Sequence, residues 1–207
     1  MIKKAIKHLV ELGTGPQHSP KENQIIRLIN KICFFVILVI TPYMLLTLYF
    51  NSVLATLVQL GAILALGLTV LLNSRQFFNL ARALTLLIGN FHIFNMVLIL
   101  GLESGIYFYF SAAIIAPLFF YTSNELKSIL FFPALTPALA LLIHFLGGSI
   151  EPIVHTPSAL LDFFFYFSVF GSLITGFIFV SYFYSESNRY QKCLEEANSA
   201  KSEFWAN

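Results

Sequence analysis

Residues 32–72 read ICFFVILVITPYMLLTLYFNSVLATLVQLGAILALGLTVLL and contain no charged side chain. A helix needs roughly 20 apolar residues to cross the hydrocarbon core of a bilayer. The stretch is long enough for two such helices, Ile32–Phe50 and Val53–Leu72, joined only by Asn51-Ser52. A connection this short forces neighbouring helices to run antiparallel, so the sequence predicts a transmembrane helical hairpin.

Four further apolar spans follow this hairpin. They are predicted at Ala83–Leu102, Ile106–Tyr121, Ile129–Leu146 and Leu160–Tyr184. The fourth span is short, and we expect its crossing to include either Glu103–Gly105 or Thr122-Ser123 as well. The sixth is long, and we expect its excess to continue into the cytoplasm as helix. The predicted fold is therefore an all-α polytopic membrane protein, a six-helix up-down bundle over residues 32–184.

The overall composition supports this fold class. Hydrophobic residues make up 57% of the chain and charged residues 11%, and the mean hydropathy is +0.79. A soluble domain usually carries about 25% charged residues, so most of this surface is expected to face the lipid bilayer. The net charge of +2 is too small to suggest a nucleic-acid partner. Cys33 and Cys193 fall in a predicted membrane span and a predicted cytoplasmic helix, so both are expected to be free thiols.

The distribution of lysine and arginine predicts the orientation in the membrane. These residues precede the first span, lie between the second and third spans and between the fourth and fifth, and follow the sixth. The connections on the opposite side, including Gly147–Ala159, contain neither residue type. Cytoplasmic connections carry the excess of lysine and arginine in membrane proteins. Both termini are therefore predicted to be cytoplasmic.

The lead-in, residues 1–31, is predicted to begin as an amphipathic helix in the cytoplasmic membrane interface. One face at helical spacing is apolar and the opposite face is charged, which is typical of interfacial helices. The apolar face consists of Ile2, Ala5, Ile6, Leu9 and Val10. Gly13–Pro16 interrupts this helix, and Ser19–Glu22 has the pattern of a new helix start. Two roles remain open for the lead-in, an elbow that anchors the bundle and a regulatory collar that touches the C-terminal helix.

Residues 185–207 are predicted to form a cytoplasmic signalling helix, because they are polar and contain neither proline nor glycine. Four residues match the a and d positions of a heptad repeat, with polar residues at the remaining a positions. They are Tyr190, Leu194, Ala197 and Phe204. The pattern favours a weak parallel coiled coil, and hence a homodimer through the sixth and signalling helices, and it also fits a solvated helical tail.

The last eight residues, AKSEFWAN at 200–207, resemble the start of the phosphoacceptor helix in bacterial sensor histidine kinases. In that family a similar stretch is followed at once by Met-Ser-His-Glu. Gly101–Gly105, together with Tyr107–Phe110, resembles the connection between the third and fourth spans of six-helix bacterial membrane sensor modules. Such modules precede histidine kinases and class III adenylate cyclases. Ile25–Asn30 and Gly89-Asn90 resemble the same modules.

The resemblance implies a membrane receptor of the bacterial inner membrane that relays a ligand or membrane state through the sixth helix to a cytoplasmic kinase region. Residues 1–207 do not include the phosphoacceptor motif, so we expect no catalytic residue, no cofactor and no enzymatic activity in this stretch. A response regulator would be reached only through the kinase region. Two alternatives remain, a passive membrane anchor and dimerisation module of a kinase or cyclase, and a small transporter. The transporter is less favoured because the polar residues lie towards one side and the connections are minimal.

Ionisable and polar residues in or beside the spans are the candidates for ligand binding, because such residues are costly in a membrane. The predicted outward-facing site comprises Asn95, Glu103, His144, Glu151, His155 and Asp162. It suits an amine-bearing or hydroxylated small molecule. The spacing of these six residues matches no metal-ligand signature, so no metal site is assigned. The alternative is that the loop residues are solvated and that Asp162 and His144 hold helices together.

For three polar residues of the third span, Asn90, His92 and Asn95, interhelical hydrogen bonds are favoured over ligand binding, so two interpretations remain open for Asn95. Gln59 of the second span is one candidate partner.

Overall fold

The computed structural model describes residues 4, 8–18, 20–121, 125–147, 152–153 and 157–206, and the regular structure within these ranges is helical throughout. For most of residues 182–206 the description covers the backbone alone. The helices are α1 (Pro20–Tyr49), α2 (Val53–Ser74), α3 (Phe78–Leu100), α4 (Phe110–Ile115), α5 (Pro117–Phe120), α6 (Leu126–Gly147) and α7 (Ser158–Ala206). Two 3-10 turns, Leu102–Ser104 and Ile106–Tyr109, precede α4. The all-α prediction is confirmed.

Within the described ranges, 5 helices are long and apolar enough to cross a membrane. They are Glu22–Tyr49, Val53–Ser74, Phe78–Leu100, Lys127–Leu146 and Leu160–Ser181. Large apolar side chains also cover the outside of the bundle, and Leu38, Phe145 and Phe177 are 69%, 74% and 74% exposed. Lipid tails are as apolar as these side chains, so the surface suits a bilayer. The chain therefore has the build of a multi-pass membrane protein.

The predicted fourth span is a broken helix. Its apolar part, Ile106–Phe120, consists of a 3-10 turn followed by α4 and α5. Pro117 has no backbone N–H, which explains why the hydrogen-bond ladder is interrupted where α5 begins. Gly105 has a φ of +67°, and an added Cβ would lie 3.0 Å from the Phe165 ring, so glycine is required at this turn. Leu102–Ser104 forms a separate turn, and residues 122–124 lie outside the described ranges.

Residues 101–120, here called the return segment, bring the chain back along the bundle. Arg82, near the start of α3, forms an ion pair of 3.0 Å with Glu125, which immediately precedes α6. Nη1 of Arg82 also donates to the carbonyl of Phe120 at 2.8 Å. The chain leaves α3 at Leu100, far from Arg82, yet meets Arg82 again at Phe120. The return segment therefore spans the length of α3, and α6 starts at the end where α3 starts.

The lead-in is fastened to this same end of the bundle. Nδ2 of Asn30 in α1 donates to the carbonyls of Val10 and Leu12 at 3.1 and 2.9 Å. Its Oδ1 accepts from Nδ2 of Asn73, in the last turn of α2, at 2.8 Å. Gly13 packs so closely that an added Cβ would lie 2.7 Å from Cα of Ser74. Hydrogen bonds and close packing therefore hold the lead-in against α1 and α2.

The apolar face predicted for the start of the lead-in is described only in part. Leu9 is 42% exposed, and Val10 is half-buried. Ile2, Ala5 and Ile6 lie outside the described residues.

The last helix, α7, runs without a break over 49 residues. At about 1.5 Å per residue it is about 74 Å long, more than twice the roughly 30 Å of a hydrocarbon core. The helix therefore continues well beyond its apolar part, Leu160–Ser181. The side chains of Tyr190, Leu194, Ala197 and Phe204 lie outside the described part of the chain, so the heptad assignment stays a prediction.

Candidate functional site

A cavity of about 130 Å³, the central cavity, lies between α1, α2, α3, the return segment and α7. Most of its wall is apolar and includes Ile40, Leu66, Met96 and Phe179. Six side chains with a polar group also reach it, and they are Tyr43, Thr85, Asn90, His92, Tyr109 and Thr175. Among the described residues, no aspartate, glutamate, lysine or arginine lines it. An apolar pocket with a few polar groups is the usual character of a small-molecule site.

One face of α3 supplies much of this wall. Thr85, Gly89, His92 and Met96 recur three or four residues apart, which places them on the same side of the helix. An added Cβ at Gly89 would meet no atom within 4 Å. The glycine therefore leaves open space in the wall where a larger side chain would fill it.

Three of the polar groups are satisfied by hydrogen bonds within the protein. The hydroxyls of Thr85 and Thr175 donate to the carbonyls four residues earlier, at 2.8 and 2.6 Å. Nδ2 of Asn90 donates in the same way at 2.9 Å, and its Oδ1 accepts from the Thr136 hydroxyl of α6 at 2.8 Å. The expected interhelical hydrogen bond of Asn90 is thus present, and it joins α3 to α6.

Two tyrosines connect the cavity to α7. The Tyr43 hydroxyl lies 2.8 Å from the Ser168 hydroxyl and 3.5 Å from that of Tyr109. Ser168 in turn donates to the carbonyl of Ser104 at 3.3 Å. Gly171 gives the Tyr109 hydroxyl its room, because an added Cβ there would overlap it. The first helix, the return segment and the last helix therefore meet at one hydrogen-bonded point beside the cavity.

His92 differs from the other polar residues of the wall. Its Nδ1 is buried and has no hydrogen-bond partner among the described residues. A neutral imidazole has one donor and one acceptor nitrogen, and leaving a buried polar group unpaired costs about 1–3 kcal/mol. The expected interhelical hydrogen bond is absent at this atom. His92 therefore keeps unused hydrogen-bonding capacity at the cavity wall.

The structure describes four of the six residues that are predicted to form an outward-facing site. The side chains of Asn95, Glu103, His144 and Asp162 are all exposed, and no hydrogen bond or ion pair of the described residues joins any two of them. The described ranges also contain no group of three or more histidine, cysteine, aspartate or glutamate residues that could hold a metal ion. Glu151 and His155 lie outside the described residues, so the complete predicted site stays a prediction.

Asn95 and Gln59 have partners other than those expected. Nδ2 of Asn95 donates to the carbonyl of Phe91 on its own helix at 2.8 Å. Nε2 of Gln59 donates to the Thr47 hydroxyl of α1 at 3.4 Å. The sequence signal that marks the central cavity is instead Gly89-Asn90 followed by His92, a small residue beside two polar ones within an apolar span.

Comparison of the chain with protein-family models, with curated proteins and with solved structures gives no match. The interpretation of the cavity therefore depends on its own residues and on the helix that leaves it.

Proposed function

We propose that this chain is the sensor module of a bacterial histidine kinase and that it relays the state of the central cavity through α7 to a cytoplasmic phosphotransfer region. One observation carries the proposal. The helix that lines the cavity through Thr175 and Phe179 is the same helix that continues unbroken to Ala206. The resemblance of residues 200–207 to the start of a phosphoacceptor helix supports a kinase as the output.

The contacts of α7 supply a physical route for this relay. Tyr43 and Tyr109 line the cavity and also contact α7 at Ser168 and Gly171. Phe179 of α7 stacks on Phe119 of the return segment, with ring centres 5.4 Å apart. A ligand shifts a conformational equilibrium only as far as its affinity differs between the two states. In the proposed relay, a ligand moves these wall residues when it binds. The α7 helix then has one position when the cavity is occupied and another when it is empty.

The proposed topology has six membrane crossings, with both termini in the cytoplasm. Arg75, Arg82 and Lys127 lie at the end of the bundle where α3 and α6 begin, and the lead-in is fastened there too. The opposite connections, residues 50–52 and 101–105, carry no lysine or arginine. The positive-inside rule assigns the basic end to the cytoplasm. The broken return segment is the fourth crossing and joins the five long helices to make six, and irregular backbone is tolerated in a membrane where it lines a cavity.

A reporter fusion with insertions in α7 tests the relay. A histidine-kinase catalytic region is joined after Asn207, and one to seven alanines are inserted after Ser187. Each residue rotates the downstream helix by about 100°, so we expect kinase activity in membranes to oscillate with a period of about 3.6 residues. Equal insertions after Asn51, in the exposed turn between α1 and α2, are the control and should leave activity unchanged.

Two results would count against the proposal. One is kinase activity that does not change with the insertions in α7, or that falls steadily as the insertions become longer. The other is full and unaltered output when residues 1–184 are replaced by an unrelated dimerising helix, since the bundle would then be a passive anchor.

A further inference from the structure

We propose that the central cavity binds a small, neutral, apolar molecule with a single hydroxyl group, and that His92 recognises this hydroxyl. The regulatory role of such a ligand rests on the proposed sensor function. Its binding, in contrast, depends only on the wall of the cavity and is measured independently of any output.

The absence of ionised side chains from the wall argues for a neutral ligand. No aspartate or glutamate of the described residues lines the cavity to balance an ammonium group, and no lysine or arginine lines it to balance a carboxylate. Moving an unpaired charge from water into such a site is far more costly than a few hydrogen bonds can offset. Ions and zwitterions are therefore poor occupants.

The size and chemistry of the wall argue for an apolar body of about the size of one ring. A cavity of roughly 150 Å³ lined by leucine, isoleucine and phenylalanine is known to bind benzene. The central cavity, at about 130 Å³, has similar walls in Ile40, Leu66 and Met96. Gly89, which has open space beside it, lines the same cavity.

The hydrogen-bond inventory of the wall argues for one hydroxyl. Thr85, Asn90, Thr175 and the paired tyrosines already have protein partners, whereas Nδ1 of His92 has none in the described chain. Nδ1 is covered by protein atoms, so the imidazole ring must turn towards the cavity to present it. A hydroxyl both donates and accepts, so it can then pair with this nitrogen in either tautomer of the imidazole. A pure hydrocarbon of the same shape leaves the nitrogen unpaired.

Phenol and toluene make a matched pair of probes, because they have nearly the same shape and differ by a hydroxyl against a methyl group. Their binding to the purified full chain in lipid nanodiscs is measured by thermal unfolding, with each concentration expressed per lipid. We expect phenol to bind about tenfold more tightly than toluene, as one net hydrogen bond allows. His92→Phe should weaken phenol about tenfold and change toluene less than about twofold.

A second pair of variants tests the location of the site. Gly89→Leu places a side chain in the open space of the wall and should abolish binding of both probes. Gly61→Leu is the matched control, since an added Cβ at this exposed position of α2 also meets no atom and Gly61 does not line the cavity. It should bind both probes like the wild type.

Three outcomes distinguish the role of His92, the location of the site and the sensor function. Equal losses of phenol and toluene in His92→Phe would overturn the role of His92. Unchanged binding in Gly89→Leu would overturn the cavity as the site. Binding as expected, with a kinase fusion that does not respond to phenol or to insertions in α7, would support the site and overturn the sensor function.

Discussion

Individual residues decide how the return segment meets α7. At Gly171 the absence of a side chain admits the Tyr109 hydroxyl, and at Gly105 the positive φ turns the chain against Phe165. Such contacts carry weight in a membrane, because helices surrounded by lipid associate through close packing and hydrogen bonds rather than through the hydrophobic effect.

Replacing Gly171 by alanine is expected to destabilise the bundle. The new Cβ would overlap the Tyr109 hydroxyl, so the tyrosine must move and give up its place beside Tyr43. Overpacking of this kind typically costs about 1–3 kcal/mol. Equilibrium unfolding in mixed detergent micelles measures the loss of free energy of unfolding in Gly171→Ala.

Two further variants make the result specific. Gly176→Ala is the control, because an added Cβ at Gly176 meets nothing within 4 Å and its substitution should be neutral or slightly stabilising. Combining Gly171→Ala with Tyr109→Phe removes the overlapping hydroxyl and should restore part of the lost stability. Equal stability of Gly171→Ala and Gly176→Ala would contradict the close contact.

Among the helical elements, the start of α3 is held to the end of the return segment by Arg82. This buried side chain pairs with Glu125, donates to the Phe120 carbonyl and to Oδ1 of Asn79, and lies 5.0 Å from the centre of the Tyr121 ring. One arginine thus joins three parts of the chain where α6 begins. It also fixes Phe120, a residue of the cavity wall.

Arg82→Gln is expected to lower the free energy of unfolding by about 3 kcal/mol, because it removes at once the ion pair, the contact with the Tyr121 ring and the donor to the buried Phe120 carbonyl. Glu125→Gln should cost about 1 kcal/mol or less. The Glu125 side chain is 33% exposed, and Arg82 keeps its other contacts in that variant. Equilibrium unfolding in mixed detergent micelles measures the free energy of unfolding of both variants.

Arg75→Gln serves as the control for loss of a positive charge at this end of the bundle. Arg75 is exposed in the turn between α2 and α3, so its substitution should change stability by less than about 0.5 kcal/mol. Similar losses in Arg82→Gln and Glu125→Gln would show that the ion pair alone, without the Phe120 and Tyr121 contacts, holds the segment.

Element boundaries show how far sequence reasoning reaches. The turn after Phe50 was predicted at Asn51-Ser52, and α2 does begin at Val53. Hydropathy placed the first and third spans at Ile32 and Ala83, whereas α1 and α3 start at Pro20 and Phe78. The difference has a physical cause, since hydropathy marks the part of a helix that suits lipid and is insensitive to polar turns that extend it. The Ser19–Glu22 pattern, which reports helix capping, points to the observed start of α1.

For the whole molecule, the orientation in the membrane is the main expectation to test. Single cysteines are introduced at Asn51, Glu103 and Gln76, all exposed, after Cys33 and Cys193 have been replaced by alanine. A membrane-impermeant maleimide should label positions 51 and 103 in intact cells, because both are predicted to face outwards. Position 76, in the turn between α2 and α3, should be labelled only after permeabilisation.

Labelling in permeabilised cells is the control, because all three positions must react there. Labelling of position 76 in intact cells, with 51 and 103 protected, would invert the orientation. If position 51 is labelled in intact cells and position 103 is not, α3 does not cross the membrane as proposed. The six-span topology would then be wrong.

The sequence by itself determined that this chain consists of membrane-type helices, as well as the positions of its shortest turns and the asymmetric placement of its basic residues. These are local properties, because a backbone in lipid must satisfy its own hydrogen bonds and its side chains must be apolar. Only the tertiary structure decided the path of the return segment, the partners of Asn90 and Tyr43, and the cavity beside His92. In lipid the outer and inner faces of a helix are both apolar, so the hydrophobic pattern does not tell which face packs inwards.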